Sequence, residues 1–134
     1  MSTPAEIPAE FANILYAHTG VFATLGPDGY PQMSATAFLA EHGVIKTSVH
    51  PSRQKYKNAV REGKAAYLVL DPAEPLRGLE VRGDISVEDD PDLVFLRRQA
   101  VADGQDLDGF THEMDNRKVL VLTPTRVRTW DLRH

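Results

Sequence analysis

The feature that most constrains this chain is the alternation from Leu79 to Glu88. Leu79, Val81, Ile85 and Val87 fall on one face, and Glu80, Arg82, Asp84 and Ser86 on the other. A period of two is that of a strand with one buried and one wetted face, and a slip of one residue would turn the buried set to water. The same length scale recurs along the chain. Val21 to Leu25 is a compact strand ended by the turn Gly26-Pro27-Asp28-Gly29, and Pro31 to Leu39 resumes it, so the two form an antiparallel hairpin. Glu41-His42-Gly43 makes a second turn before Val44 to Ser48. Ala65 to Leu70 is a fourth strand, closed by Asp71-Pro72 and a loop through Pro75. Val119 to Leu122 and Val127 to Leu132 supply a closing strand, or a strand pair bent at Pro124.

Helical segments are inserted between these strands. Ala5 to Ala17 carries Ile7, Phe11, Ile14 and Leu15 at helical spacing. A helix runs from Ser52 to about Glu62 and stops at Gly63. Another spans Pro91 to Asp103 with Leu93, Val94, Leu96 and Val101 as its packing stripe, and the acidic stretch Gly104 to Asp115 reads as loop. About six short antiparallel strands with inserted helices point to a small β-barrel, because closure removes exposed edges. No linker or repeat divides the 134 residues, so residues 1–134 read as one domain.

Composition excludes several kinds of function. The chain has no cysteine, which rules out disulfides, thiolate nucleophiles and thiolate metal sites. A net charge of -4 opposes broad nucleic-acid binding. No apolar run is long enough to span a bilayer, and the start Met-Ser-Thr-Pro-Ala-Glu lacks the shape of a signal peptide, so a cytoplasmic setting is expected. His18, His42, His50, His112 and His134 show none of the clustered spacing of a metal site, and no metal is expected. No nucleophile elbow, Walker loop or dinucleotide fingerprint occurs, and no catalytic residue is assigned. Glu80 and Arg82 read as an ion pair or interface contact, and Trp130 as a core or interface residue.

The chemistry concentrates after Pro51. Ser52 is suited to cap a helix whose first turn carries Arg53, Lys55 and Lys57, and a helix start already bears about half a positive charge. Cations there are mildly repelled unless an anion shares the place. Two readings stand at this level: a solvated face with Arg53, Lys57 and Arg61 at four-residue spacing, or a convergent anion site that includes Lys55.

Taken in order, Gly20-Val21-Phe22-Ala23-Thr24-Leu25, Gly29-Tyr30-Pro31-Gln32-Met33-Ser34, Lys46-Thr47-Ser48, Arg53-Gln54-Lys55-Tyr56-Lys57-Asn58 and Glu80-Val81-Arg82-Gly83 resemble the pyridoxamine 5′-phosphate oxidase-like split-barrel family. The closer likeness is to its branch of oxidoreductases that use the deazaflavin coenzyme F-420. The resemblance covers about residues 7 to 130. It implies a mainly β fold with inserted helices, a six-stranded antiparallel split β-barrel that forms a homodimer with the cofactor at the subunit interface. It implies that Arg53 and Lys55 hold the cofactor phosphate, that Thr47 and Ser48 complete the cradle, and that Gln32, Met33 and Ser34 lie along the ring. Asn58 would brace the helix start, and Lys57 and Arg61 would meet the carboxylates of a deazaflavin tail.

The implied activity is hydride transfer from reduced deazaflavin to a small conjugated acceptor. FMN is the alternative cofactor, in a flavin reductase or oxidase, and a non-catalytic cofactor carrier is the alternative of another class. Arg126, Arg128 and Arg133 do not reproduce the C-terminal arginine and histidine segment of the true pyridoxamine phosphate oxidases, so vitamin B6 oxidation is not expected.

Overall fold

A computed structural model describes residues 5–105 and 114–133. An N-terminal 3-10 helix, Ala9–Ala17, precedes β1 (Thr19–Leu25), β2 (Pro31–Ala37), β3 (Leu39–Glu41) and β4 (Val44–Val49). Helix α1 (Gln54–Glu62) follows, then β5 (Lys64–Asp71), β6 (Glu74–Asp89), a 3-10 turn at Pro91–Leu93, α2 (Val94–Ala102) and β7 (Lys118–Asp131). The strands form one antiparallel sheet in the order β2-β1-β5-β6-β7-β4-β3.

The sheet has seven strands where six were expected, because Phe38 divides the stretch Pro31–Leu39. Its side chain is fully buried and its amide donates to the His18 carbonyl at 2.9 Å. The chain leaves β2 on one edge of the sheet and enters β3 on the other within a single residue. Two edges can be neighbours in sequence only if the sheet curls until they nearly meet. Across that seam Thr47 Oγ1 donates to the Ala37 carbonyl. The curled sheet buries Phe22, Phe38, Ile45, Tyr67, Leu79, Val81, Leu120 and Leu122. Burial of each large apolar side chain contributes about 1.5–3 kcal/mol. Tyr67 lies at the centre, its ring 4.8 Å from that of Phe22 and 5.2 Å from that of Phe38.

The alternation of residues 79–88 belongs to a longer strand than expected: β6 starts at Glu74, and the loop before it shrinks to a tight turn. β7 is one strand rather than a pair. The register shifts beside Pro124, where Thr125 of β7 is the extra residue opposite the step from Arg82 to Gly83. A Cβ at Gly83 would lie 2.2 Å from the Thr123 carbonyl oxygen, so only glycine permits this approach.

The helices differ more from expectation. The N-terminal segment buries Ile14 and Leu15 and packs Ile7 and Phe11 beside them, but as a 3-10 helix that begins at Ala9. α1 starts at Gln54, and Gly63 ends it in the left-handed conformation as its position predicts. α2 follows left-handed Asp92 and Leu93, which turn the helix relative to a continuous one. Phe95, Leu96, Gln99 and Ala100 are therefore buried, while Val94 and Val101 face solvent. Of the loop expected over 104–115, residues 106–113 lie outside the described part. No helix among the described residues is long and apolar enough to cross a membrane.

Candidate functional site

β4 alternates between the two sides of the sheet, which assigns its hydroxyls to different tasks. Ile45 and Val49 belong to the barrel core, and Thr47, on their side, is 1% exposed. Its hydroxyl donates to Ala37 and lies 2.7 Å from the Tyr67 hydroxyl, which must then be the donor of that bond. Burial raises the Tyr67 pKa well above the ordinary phenol value, against a smaller opposing effect of Thr47. Thr47 is thus an internal brace between β2, β4 and β5. Ser48 points the other way. Its amide donates to Gln99 Oε1 at 2.9 Å, and its Oγ accepts from Arg117 Nε at 2.9 Å.

The chain leaves the sheet at His50 and turns into α1. The Arg53 amide donates to the His50 carbonyl at 3.0 Å. Ser52 was expected to cap the helix and does not. Its amide donates to His50 Nδ1 at 3.1 Å and its hydroxyl lies 2.8 Å from the same nitrogen. Ser52 belongs to the turn that precedes the helix, and Arg53 takes the N-cap position without a side-chain cap. His50 Nε2 in turn lies 3.9 Å from Asp115 Oδ1.

One turn into the helix, half-buried Lys55 donates from Nζ to Thr36 Oγ1 at 3.3 Å, and Thr36 Oγ1 is 3.4 Å from Ser34 Oγ. The Lys55 pKa is lowered by burial first, then by the nearby charges of Arg53 and Arg117. Asn58, fully buried, ties the helix down. Its Nδ2 donates to Gln32 Oε1 at 2.8 Å and Thr24 Oγ1 at 3.2 Å, and its Oδ1 accepts from Gln54 Nε2 at 2.8 Å. Arg61, which stays exposed, donates to that same Oδ1 at 3.3 Å, to the Leu25 carbonyl and to Glu62 at 3.1 Å.

Of the residues singled out in the sequence, Gln32, Ser34 and Lys55 therefore converge on one side of β2, joined through Thr36 and Asn58. Arg53 precedes Lys55 at the start of α1, whereas Ser48 lies on the other side of β4, held by Gln99 and Arg117. Met33 does not join it. It lies on the opposite side of β2, 67% exposed, paired with Ala23 of β1. Arg117 escaped the sequence reading. It sits one residue before β7, and only the pairing of β7 with β4, where Val49 faces Lys118, brings it beside the cluster. The basic pair Arg117-Lys118 after an acidic stretch was the one local signal of it. Glu80 and Arg82 form the expected ion pair at 3.0 Å.

The cluster gathers Arg53 and Lys55 of the α1 start, short hydroxyls and amide side chains, and burial disfavours the Lys55 charge. An anion placed among these groups would relieve that charge. A separate cavity of about 620 Å³ lies between the N-terminal 3-10 helix and the β3–β4 hairpin, lined by Ile7, Leu15, His18, Ala40, Val44 and Thr123 among others, and shares no residue with this cluster.

A family model described as pyridoxamine 5′-phosphate oxidase matches residues 7–131. A solved structure described as an F-420 reductase is similar with a TM-score of 0.81 at 29% identity, over 91% of this chain and 98% of that one. A conserved hypothetical protein of Mycobacterium tuberculosis matches with a TM-score of 0.72 at 25% identity, over 98% of this chain and 91% of the other. A putative pyridoxamine 5′-phosphate oxidase of Listeria innocua, with a TM-score of 0.67 at 20% identity over 87% of this chain and 92% of its own, shares the fold. No curated protein sequence matches the chain.

Proposed function

The chain belongs to the pyridoxamine 5′-phosphate oxidase-like split-barrel family, and from that premise we propose that it is an oxidoreductase that binds reduced deazaflavin coenzyme F-420 and delivers hydride to a small conjugated organic acceptor. The observation that carries this reading is Lys55, a half-buried cation pressed by Arg53 and Arg117. A protein gains nothing from gathering like charges in a desolvated place unless a ligand neutralises them, and the fixed phosphate of a flavin-type cofactor is such a ligand. The F-420 reductase at 29% identity supports the deazaflavin over FMN.

When bound, the coenzyme supplies the hydride, and the residues of the chain bind, orient and exclude water. Arg53 and Lys55 hold the phosphate. Ser34 and Gln32 present a hydroxyl and an amide to the ring edge, their positions fixed by Thr36 and Asn58. Thr47, its hydroxyl occupied inside the barrel, keeps β2 and β4 at a constant separation rather than touching ligand. A homodimer completes the cleft in this reading. The outer side of the sheet supports it: Met33, Leu68, Leu70 and part-buried Trp130 present apolar area there that a second copy would cover. The same reading assigns the protein to the cytoplasm.

The test is a parallel titration of purified protein with coenzyme F-420 and FMN, followed by multiple-turnover assays against quinone and nitroaromatic acceptors. Saturable binding of the deazaflavin with turnover is expected. Binding of FMN alone would transfer the reading to a flavin reductase or oxidase. Tight binding without turnover on any acceptor would make the protein a carrier, and no binding of either would end the cofactor assignment.

A further inference from the structure

Asn58 uses every hydrogen-bonding position it has. Fully buried on α1, its Oδ1 accepts from Gln54 Nε2 at 2.8 Å and from Arg61 Nη1 at 3.3 Å. Its Nδ2 donates to Gln32 Oε1 at 2.8 Å and to Thr24 Oγ1 at 3.2 Å. An amide side chain has two acceptor sites and two donor hydrogens, so nothing is left over. The sense of this arrangement cannot reverse, because a guanidinium only donates. Arg61 is held by its other nitrogens, Nε on Glu62 at 3.1 Å and Nη2 on the Leu25 carbonyl. Asn58 Oδ1 must therefore face Arg61, and the amide hydrogens must fall on Thr24 and Gln32, which are cross-strand partners of β1 and β2. Gln32 can meet an amide donor only with its oxygen. Its Nε2, with two hydrogens, is then turned away from Asn58, and nothing among the described residues accepts from it. On the side of β2 that also carries Ser34, half-buried Gln32 thus offers a donor of fixed sense to whatever occupies that side.

We propose that Asn58 is a positioning residue that fixes Gln32 as a hydrogen-bond donor. The site then takes a planar ring whose facing edge carries an acceptor, a pyrimidine carbonyl oxygen in a flavin or deazaflavin, and disfavours an edge that carries a donor. This rests on the reading of Gln32 as a residue at the ring edge. Flavin and deazaflavin differ at ring position 5, nitrogen in one and C–H in the other, but share these carbonyls, so the effect is common to both. Asn58 could instead serve only to brace the helix start that carries Arg53 and Lys55, and it would then act on the phosphate. The two roles part on ligands with and without that group.

The experiment titrates two ligand pairs, coenzyme F-420 with its phosphate-free ring-and-ribityl portion and FMN with riboflavin; whichever pair the wild type binds carries the test. The variants are Asn58→Asp, Gln32→Leu, the two combined, Gln32→Glu and Arg53→Ala. Aspartate keeps the shape of Asn58 but only accepts, from Arg61, Gln54 and a reversed Thr24 hydroxyl. Gln32 must then turn Nε2 inward and show the ligand an acceptor. Asn58→Asp should weaken both members of the pair by a similar factor, about tenfold to a hundredfold. It should have no further effect on Gln32→Leu. Gln32→Glu leaves the buried amide in place and replaces the donor with a second acceptor, so it should weaken the phosphate-free ligand more than Gln32→Leu does. A loss confined to the phosphorylated ligand, a loss undiminished in the Gln32→Leu background, or no loss at all would overturn the proposal. So would a phosphate-free ligand bound by Gln32→Glu at least as well as by Gln32→Leu, a result that stands even where the urea midpoint shows Asn58→Asp unfolded. Arg53→Ala separates the two levels. If it weakens only the phosphorylated ligand while Asn58→Asp and Gln32→Glu are silent, the cofactor reading stands and the donor assignment falls; if the wild type binds neither pair, both fall.

Discussion

Helices α1 and α2 are both nine residues long, yet their first turns are built in opposite ways. At the start of α2 the Asp90 carboxylate reaches over the kink and accepts the amides of Phe95 and Leu96, at 2.8 and 3.0 Å. The unpaired N–H groups and the positive end of the dipole are answered from within the chain. At the start of α1 no side chain caps the helix, the first turn has no acidic residue, and Arg53 and Lys55 add charge of the sign already present. One helix is closed by its own carboxylate. The other is left open by its own first turn, and in the proposed reading an anion from outside would close it. α2 also serves that place, because its Gln99 fixes the strand end that carries Ser48.

The contrast is broken most sharply by making α1 like α2. Arg53→Asp puts a preferred capping residue at the N-cap position and removes a cradle cation in the same step. Loss of a charge-assisted contact and gain of a like charge should cost about 3 kcal/mol or more of cofactor affinity. Apo stability should rise instead, by about 0.5–2 kcal/mol for the new cap. Parallel urea unfolding and flavin titration read both. Affinity preserved in this variant would show that α1 does not face the anion.

The reverse change comes second. Asp90→Ala strips α2 of its acceptor and should lower stability by about 1–2 kcal/mol, read from the urea midpoint. Flavin affinity should change by no more than a few-fold, because Arg53 and Lys55 are untouched. A loss of affinity as large as that of Arg53→Asp would mean that the two helix starts are not separable in role.

How much of this was legible in the sequence follows the range of the interactions. The alternation of 79–85, the hairpin turn at Gly26–Gly29 and the stop at Gly63 are local, and the structure keeps them, although Val87, expected on the buried face, is 40% exposed. The helix-start cluster was visible because its charges lie within a few residues. What local patterns do not carry was missed. Phe38 breaks a strand because it is claimed by the core and by the His18 carbonyl, twenty residues upstream. The stripe of α2 is displaced because left-handed Asp92 and Leu93 turn the helix before it begins. Ser52 falls one position short of the N-cap because a turn closed by the Arg53 amide on the His50 carbonyl comes before the helix. Arg117 reaches the site only through a pairing between strands sixty-nine residues apart, Ser48 with the chain before β7. Gln32, Met33 and Ser34 were quoted as one motif, but successive residues of a strand face opposite sides, so Met33 lies on the other surface of β2 from Gln32 and Ser34.

The smallest expected effect is also the most specific to the open helix start. The Lys55 pKa is lowered from 10.5, by burial and then by Arg53 and Arg117. The folded apo protein therefore releases this proton at lower pH than the unfolded chain does. Between the depressed folded value and the ordinary 10.5 the unfolded state holds more protons, so this group's contribution to stability rises with pH across that window. Below the window the charged lysine is a cost to the fold; above it the cost is gone. A bound phosphate restores the charge and raises the folded pKa, which should flatten the rise. Lys55→Met removes the group and keeps its length, so the wild-type minus Lys55→Met difference in urea midpoint isolates it. That difference should climb in favour of the wild type toward alkaline pH in the apo protein and lose this slope when the cofactor is saturating. A slope of the opposite sign in the apo protein would mean that Lys55 already has an anionic partner within the chain, and α1 would then be closed as α2 is.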